Sequence, residues 1–232
     1  MRQNKFFMKK KNATDKQFAN IEEGLSKAEQ FVEDNRKILF IIIGSIIFLF
    51  VGYYGYQNLY KSPLNEKAQK QLFIGEKYFE KDSFGLALNG SNNFEGLLTI
   101  AKKYSNTKSG QLANYYAGIS YLRIGDYKNA IKTLEKYNSN DQLLLSISKM
   151  AIGDAFSEIN QPNEAIEYYQ QSIKISQNEL ITPIALMKCA RLYELEKKYN
   201  NALDCYKTIK NEYPESTTGK TIDKYINNIN NK

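Results

Sequence analysis

Residues 112–137 read LANYYAGISYLRIGDYKNAIKTLEKY, and this stretch decides the fold. Small and aromatic residues recur at helical spacing on both sides of a short turn at Gly125-Asp126. A glycine at this place is typical of the end of one helix and the start of another. Gly118 before the turn and Ala130 after it are small enough for a close antiparallel approach. The stretch therefore predicts a hairpin of two helices.

The same pattern occurs twice more along the chain. The small residue of the first helix recurs at Gly153, 35 positions after Gly118, and again at Ala190, 37 positions after Gly153. The three sets are Gly118, Tyr121, Gly125, Tyr127, Ala130 and Leu134; Gly153, Phe156, Asn160, Pro162, Ala165 and Tyr169; and Ala190, Tyr193, Lys197, Tyr199, Ala202 and Tyr206. This spacing resembles the 34-residue period of tetratricopeptide repeats. One such hairpin cannot bury its apolar face alone, so the copies are expected to stack into a helical solenoid.

A degenerate first copy precedes these three. It carries Gly75, Tyr78, Asp82, Phe84 and Ala87, and is interrupted by an insertion, NGSNN at 89–93, before a second helix at about 94–104. The predicted domains are a tail at 1–37, an apolar span at 38–60, the degenerate hairpin at 61–110, three repeats at 111–145, 146–182 and 183–216, and a capping helix at 217–232. The predicted fold class is all-α.

The apolar span predicts a single transmembrane helix. Ile38 to Tyr60 are 23 consecutive uncharged residues, long enough to cross a hydrocarbon layer of about 30 Å. Tyrosines cluster at its C-terminal end, as in an interfacial aromatic belt. The stretch before it is longer than a usual signal n-region and no small-residue cleavage site follows, so we expect an uncleaved anchor.

Charge gives the expected orientation of this anchor. The flanking lysines and arginines are nearly balanced, and the basic tail, with Lys9, Lys10 and Lys11, favours a cytoplasmic N-terminus. A one-sided apolar stripe in the tail predicts a short amphipathic helix. Its residues are Phe18, Ile21, Leu25, Ala28 and Val32. This helix could pair with a partner helix, lie on the membrane surface or simply fray.

The concave side of the repeats is the expected partner-binding groove. In tetratricopeptide repeats the first helix of each copy lines this groove. By register, the groove positions are Tyr115, Ile119 and Leu122; Met150, Asp154 and Ser157; and Met187, Arg191 and Glu194. Tyr115, Met150 and Met187 are equivalent and would form a ladder of adaptable apolar contacts. They could equally be partly buried packing residues.

Several classes of chemistry have no support in the sequence. The chain has no histidine, which removes the usual catalytic triads and zinc sites. It has no phosphate-binding glycine loop, so we expect no enzyme activity, no cofactor and no small-molecule substrate. The net charge of +7 is spread out, so no nucleic-acid partner is expected. Cys189 and Cys205 are expected as buried free thiols, or as a disulfide in an oxidising compartment.

A resemblance to a known family is carried by the apolar anchor, the stretch quoted first, and the segments AQKQLFIGEKYFEKDSFGLALNG and ITPIALMKCARLYELEKKYNNALDCYKTIKNEYPES. In these parts the chain resembles the YfgM-like family of membrane-anchored tetratricopeptide proteins. The insertion and the long tail are closest to versions from Bacteroidota. These proteins are ancillary subunits of the SecYEG translocon, beside the membrane-anchored chaperone PpiD. The resemblance implies an inner-membrane protein with periplasmic repeats, whose partners are SecYEG, a PpiD-like chaperone, emerging secretory proteins and inner-membrane lipid.

Two other hypotheses stay open beside this translocon adaptor. The chain could be a scaffold for another cell-envelope assembly or secretion machine. With the opposite topology it would be a cytosol-facing adaptor.

Overall fold

The computed structural model of this chain describes residues 30–230, which form two units divided between Tyr60 and Lys61. The stripe residues Phe18, Ile21, Leu25 and Ala28 and the tail up to residue 29 lie outside the described residues. Val32, the last residue of the stripe, lies in the described helix and is 53% exposed. The first unit contains helix α1, residues 30–55, and a π-helical turn, Tyr56–Lys61, begins at its end. The rings of Tyr56 and Tyr60 stack within this turn, with centroids 5.5 Å apart.

Helix α1 presents apolar side chains to its surroundings. The helical stretch that begins at Gln30 contains an 18-residue window with a mean hydropathy of 2.4, and none of that window is buried. Phe48, for example, is 77% exposed. By length and composition this helix can cross a membrane, and a signal sequence would share both properties.

The second unit is a run of short helices. They are α2 (Ser62–Glu80), α3 (Phe84–Asn89), α4 (Leu97–Lys103), α5 (Lys108–Arg123), α6 (Tyr127–Leu134), α7 (Gln142–Glu158), α8 (Pro162–Ile175), α9 (Thr182–Leu195), α10 (Tyr199–Glu212) and α11 (Ile222–Asn230). Between residues 30 and 230 there is no β-strand, only an isolated bridge from Ser91 to Phe94 within the insertion. The predicted all-α class is therefore confirmed.

Four hairpins turn in the same way. The second residue after each leading helix adopts a positive φ, and these residues are Asp82, Gly125, Asn160 and Lys197. In each turn the backbone N–H of the next residue donates to the carbonyl of the aromatic residue that precedes the turn, at 2.8–2.9 Å. The pairs are Ser83–Tyr78, Asp126–Tyr121, Gln161–Phe156 and Lys198–Tyr193. This is the Schellman ending of a helix, which satisfies carbonyls that the helix itself leaves unpaired.

Side chains also determine where helices α5 to α9 begin. The side chains of Thr107, Asp126 and Asp141 accept hydrogen bonds from backbone N–H groups in the first turns of α5, α6 and α7. Pro162 and Pro183 stand in the first turns of α8 and α9, where a missing N–H costs nothing. These local signals mark the hairpin boundaries in the sequence.

The helices of each hairpin touch through the small residues, but the partners differ from those predicted. Ala130, Ala165 and Ala202 are fully buried. A Cβ at Gly118 would lie 2.4 Å from Cγ of Leu134, so the glycine faces the large residue one turn beyond the alanine. A Cβ at Gly153 would lie 2.5 Å from the Tyr169 ring. Each glycine leaves space for a large side chain of the second helix. The predicted contact between a small residue and the facing alanine is therefore only part of this packing.

From α4 to α11 each helix packs against the next along the chain, and α5 also contacts α7. Buried clusters follow one another along this order. One contains Leu72, Phe94 and Ala117, and another at the far end contains Tyr206, Ile209 and Ile222. The order of contacts is that of a solenoid, in which each hairpin is stabilised mainly by its neighbours.

Candidate partner-binding groove

A concave cavity of about 920 Å³ lies on the face formed by the leading helices of the hairpins. Its lining residues, called here the groove, are Phe79, Tyr115, Ile119, Leu122, Arg123, Tyr127, Ile147, Met150, Ala151, Asp154, Ser157, Glu158, Tyr169, Lys188, Arg191, Leu192 and Leu195. They come mainly from the end of α2 and from α5, α7 and α9. Its volume lies within the range of ligand-binding clefts, and its lining combines apolar, polar and charged side chains.

The structure places the seven predicted groove residues in two environments. Six of them line the groove: Tyr115, Ile119, Leu122, Met150, Asp154 and Arg191. Met187 does not. It packs into the cluster that contains Ala190, Tyr206 and Ile222, where the C-terminal helix α11 adds apolar surface. The predicted ladder thus has Tyr115 and Met150 in the groove and Met187 outside it. Ser157 also lines the groove.

One side of the groove is apolar and is called here the apolar wall: Phe79, Tyr115, Ile119 and Leu122. The Phe79 ring meets the Tyr116 ring edge-on, with centroids 5.2 Å apart, and Tyr116 meets Tyr115 at 5.4 Å. Ile119 and Leu122 pack against the buried cluster around Leu134 and Ile152. Paired rings and buried neighbours hold this wall in shape.

Burial raises the pKa of two tyrosines in this region. It raises the pKa of Tyr115, with a smaller contribution from Tyr137. Burial, followed by the charge of Glu76, raises the pKa of Tyr116 to about 12. At neutral pH both are protonated, as a tyrosine of ordinary pKa also is, and each presents an aromatic ring with a hydroxyl group.

A three-residue cluster forms the floor of the groove. Tyr169 donates its hydroxyl to Oδ1 of Asp154 at 2.8 Å, and Nζ of Lys188 meets the same oxygen at 2.7 Å. Nζ of Lys188 also lies 5.9 Å from the centre of the Tyr169 ring. Burial, with the neighbouring Asp154, raises the pKa of Tyr169, so its hydroxyl stays a donor. The cluster links α7, α8 and α9.

The side opposite the apolar wall is basic and is called here the basic wall: Lys188 and Arg191 of α9. Nη2 of Arg191 lies 3.5 Å from the hydroxyl oxygen of Tyr225, and its guanidinium lies 5.9 Å from the centre of that ring. The Tyr225 ring in turn packs at 5.6 Å from that of Tyr206. Helix α11 therefore orients a cation on the groove surface through Tyr225.

Charges of both signs stand at one end of the groove. Arg123 and Glu158 occupy equivalent positions at the ends of α5 and α7, and both are exposed. The hydroxyl of Tyr127 lies 3.4 Å from Oε2 of Glu158. Leu195, at the matching position of α9, is 78% exposed. This end leaves both polar and apolar groups open to a partner.

Sequence reasoning missed several residues of the groove. Phe79 belongs to the degenerate copy and enters the groove because α2 packs against α5. Lys188 sits one position after Met187, and its approach to Asp154 crosses from one repeat to the next. The repeat pattern identifies Tyr169 only as the large residue that follows Ala165 in the second copy. Its hydroxyl could have been noticed, because a buried tyrosine usually finds a hydrogen-bond partner.

The two cysteines lie close in the packing of the third repeat. Cys189 is buried and packs in the same cluster as Cys205, and both are free thiols in the structure. Burial raises the pKa of Cys189 to about 12 and that of Cys205 to about 11. Such thiols are poor nucleophiles at neutral pH. Among residues 30–230 no cluster of three or more metal-ligating side chains occurs.

Comparisons with known proteins agree with this geometry. Sequence profiles described as tetratricopeptide repeat match residues 112–141, 148–179 and 185–216. The chain is similar to human tetratricopeptide repeat protein 29, with 28% identity over 116 residues. That alignment spans 46% of this chain and 24% of the human protein. The matched ranges coincide with the hairpins α5–α6, α7–α8 and α9–α10. The chain therefore contains three tetratricopeptide repeats, the class of helical repeat that serves as a protein–protein interaction scaffold.

Proposed function

We propose that this chain is an adaptor anchored in the inner membrane at the Sec translocon, with its repeats in the periplasm. There it binds a PpiD-like chaperone or emerging secretory proteins. The observation that carries the proposal is the combination of an exposed, 18-residue apolar window in the N-terminal helical stretch with a groove on a repeat scaffold. An anchor restricts the groove to the neighbourhood of the membrane, where its effective concentration toward a membrane-bound partner rises.

Two features of the groove support a protein ligand. Its apolar wall offers aromatic and aliphatic surface that can desolvate a partner's side chains, as the centre of a protein interface requires. Its charged groups stand around this surface, where they can set specificity and orientation. Tetratricopeptide repeats typically act as adaptors without catalysis, and we propose no reaction for this groove.

The translocon role is tested by affinity purification of the full chain from native membranes in mild detergent. We expect SecY and a PpiD-like protein to be enriched over an unrelated protein with the same kind of anchor. Enrichment of components of another envelope machine would instead support the scaffold hypothesis, and enrichment of neither would defeat the translocon role.

The contribution of the groove is tested by a matched pair of variants. Met150→Glu places a charge in the groove, whereas Leu86→Glu places one on α3, where Leu86 is 48% exposed and outside the groove. We expect Met150→Glu to reduce recovery of the partner and Leu86→Glu to leave it unchanged, with the same helical content by circular dichroism in both. Equal recovery with both variants would show that the partner binds elsewhere.

The proposed orientation is tested separately. A reporter enzyme that is active only in the periplasm, fused after Lys232, should be active, and a cytoplasmic reporter at the same place should not. The reverse result would move the repeats to the cytosol and leave the cytosol-facing adaptor as the remaining hypothesis.

A further inference from the structure

One side of the groove is apolar and the other is basic, and this arrangement limits the chemistry of the partners that can bind. The apolar wall on α2 and α5 contains no charged side chain, whereas the basic wall on α9 presents Lys188 and Arg191 across the groove. Helix α7 lies between them and contributes Met150 and Asp154. A segment that enters the groove therefore meets apolar surface on one flank and cations on the other.

The acidic groups of the groove do not cancel this asymmetry. Asp154 already accepts the hydroxyl of Tyr169 and meets Lys188 at 2.7 Å, so its charge is engaged within the protein. Glu158 stands at the end of the groove beside Arg123, close to the Tyr127 hydroxyl. In the middle of the groove Asp154 forms an ion pair with Lys188, so the excess positive charge there is that of Arg191.

The orientation of Arg191 is supported from outside the groove. Tyr225 of α11 lies against its guanidinium, at 3.5 Å from oxygen to nitrogen, and Tyr206 packs on Tyr225. Arg191 remains exposed although it has these neighbours. A cation held in this way loses less side-chain entropy when it binds an anionic group than a freely rotating one does.

We propose that the groove binds an amphipathic segment of a protein partner, with its apolar side chains on the apolar wall and its acidic side chains toward Arg191. The inference rests on the proposed adaptor function and names the chemistry of the ligand. Recognition by one apolar and one charged side also fixes how the segment is rotated about its own axis, because the two contacts are on opposite flanks.

The experiment uses the full chain in nanodiscs of zwitterionic lipid and three fluorescent peptide probes. The acidic probe is a 16-residue peptide with leucines on one helical face and glutamates on the opposite face. In the basic probe lysines replace the glutamates, and in the polar probe serines replace the leucines. Binding is measured by fluorescence anisotropy, with the signal from empty nanodiscs subtracted.

We expect the acidic probe to bind about fivefold or more tightly than the basic probe, and the polar probe to bind weakly. The preference should shrink as salt rises, because the cations are partly exposed. Arg191→Glu should reduce or invert the preference. Lys207→Glu, the same charge change on an exposed site of α10 outside the groove, should leave it intact.

Equal binding of the two charged probes, a preference for the basic probe, or equal effects of the two variants would overturn the inference. So would binding no stronger than to empty nanodiscs. Failure here is distinguishable from failure of the translocon role. Probe binding without SecY enrichment would leave the groove chemistry standing, and SecY enrichment without probe binding would leave the adaptor standing with a different ligand.

Discussion

Tyr169 donates its hydroxyl to Oδ1 of Asp154 at 2.8 Å, and this contact joins α8 to α7 beneath the groove. Tyr169 is only 3% exposed, and its ring fills the space left by Gly153. Because Lys188 meets the same oxygen from α9, one carboxylate connects the second repeat to the third. The position of the groove floor therefore depends on packing inside a hairpin.

Tyr169→Phe removes this hydroxyl and keeps the ring. We expect the free energy of unfolding to fall by about 1–2 kcal/mol, since a hydrogen bond to a charged acceptor is lost at a buried donor site. Urea titration of the full chain in detergent, followed by circular dichroism, measures the change. Tyr193→Phe is the control, because the Tyr193 hydroxyl accepts a hydrogen bond from the exposed, uncharged amide of Gln170 at 3.2 Å. Equal losses would mean that the Asp154 contact adds nothing.

Gly153→Ala tests the packing of the same ring. The added Cβ would lie 2.5 Å from the buried Tyr169 ring and 3.0 Å from the carbonyl oxygen of Ala165, so the helices must move apart. We expect a loss of about 1–3 kcal/mol in the same titration. Gly85→Ala on α3, where a Cβ meets nothing within 4 Å, should instead be neutral or stabilising by up to about 1 kcal/mol. A harmless Gly153→Ala would contradict the close approach.

Lys197→Gly should stabilise the third repeat. Lys197 has a φ of 59°, which costs a residue with a Cβ more than it costs glycine. We expect a gain of about 1 kcal/mol, seen as a higher midpoint of urea unfolding. Gly125→Ala, at the equivalent turn with a φ of 80° and open space around the Cβ, should lose a similar amount. Changes of the same sign in both variants would disprove the shared turn geometry.

Alkaline pH should destabilise the chain through Tyr116. Burial raises its pKa from an ordinary value near 10 to about 12, so between these pH values the unfolded state releases a proton that the folded state keeps. The stabilisation is complete below pH 10 and is lost as pH rises toward 12. Tyr116→Phe should therefore flatten the fall of the unfolding free energy between pH 10 and 12. An unchanged slope would show that Tyr116 titrates normally.

The two thiols should resist alkylation in the folded protein. Burial raises the pKa of Cys189 to about 12 and that of Cys205 to about 11, and thiolate is the reactive form. We expect no iodoacetamide adduct after brief treatment at pH 8, and two adducts after unfolding in urea without reductant, by intact mass. If the urea sample gains adducts only after reduction, the cysteines form a disulfide in the isolated protein.

The local elements could be predicted because their causes are local. Gly125 and Asn160 end helices through hydrogen bonds that span six residues, and Pro162 starts one through its own ring. The 35- and 37-residue spacing therefore predicts the hairpins before any distant contact is known. The uncharged run at 38–60 likewise predicts a helix of membrane-spanning length, because composition alone determines its transfer into an apolar phase.

The groove could be predicted only in part. Helical register places Tyr115, Ile119, Met150 and Asp154 on one face, since neighbouring turns repeat every 3.6 residues. Register does not say which faces of different hairpins meet. Phe79 lines the groove because α2 packs against α5. Met187 lies outside the groove because it packs in a cluster with residues of α10 and α11.

The sequence by itself therefore determined the helices, their turns, the repeat period and the apolar span. Only the tertiary structure decided that Lys188 and Tyr169 converge on Asp154 and that Gly118 faces Leu134 rather than Ala130 alone. The physical reason is the distance along the chain over which each interaction acts. Turns and caps form within a few residues, whereas the convergence of side chains from three helices depends on small rotations between hairpins, which the packing of large buried residues sets.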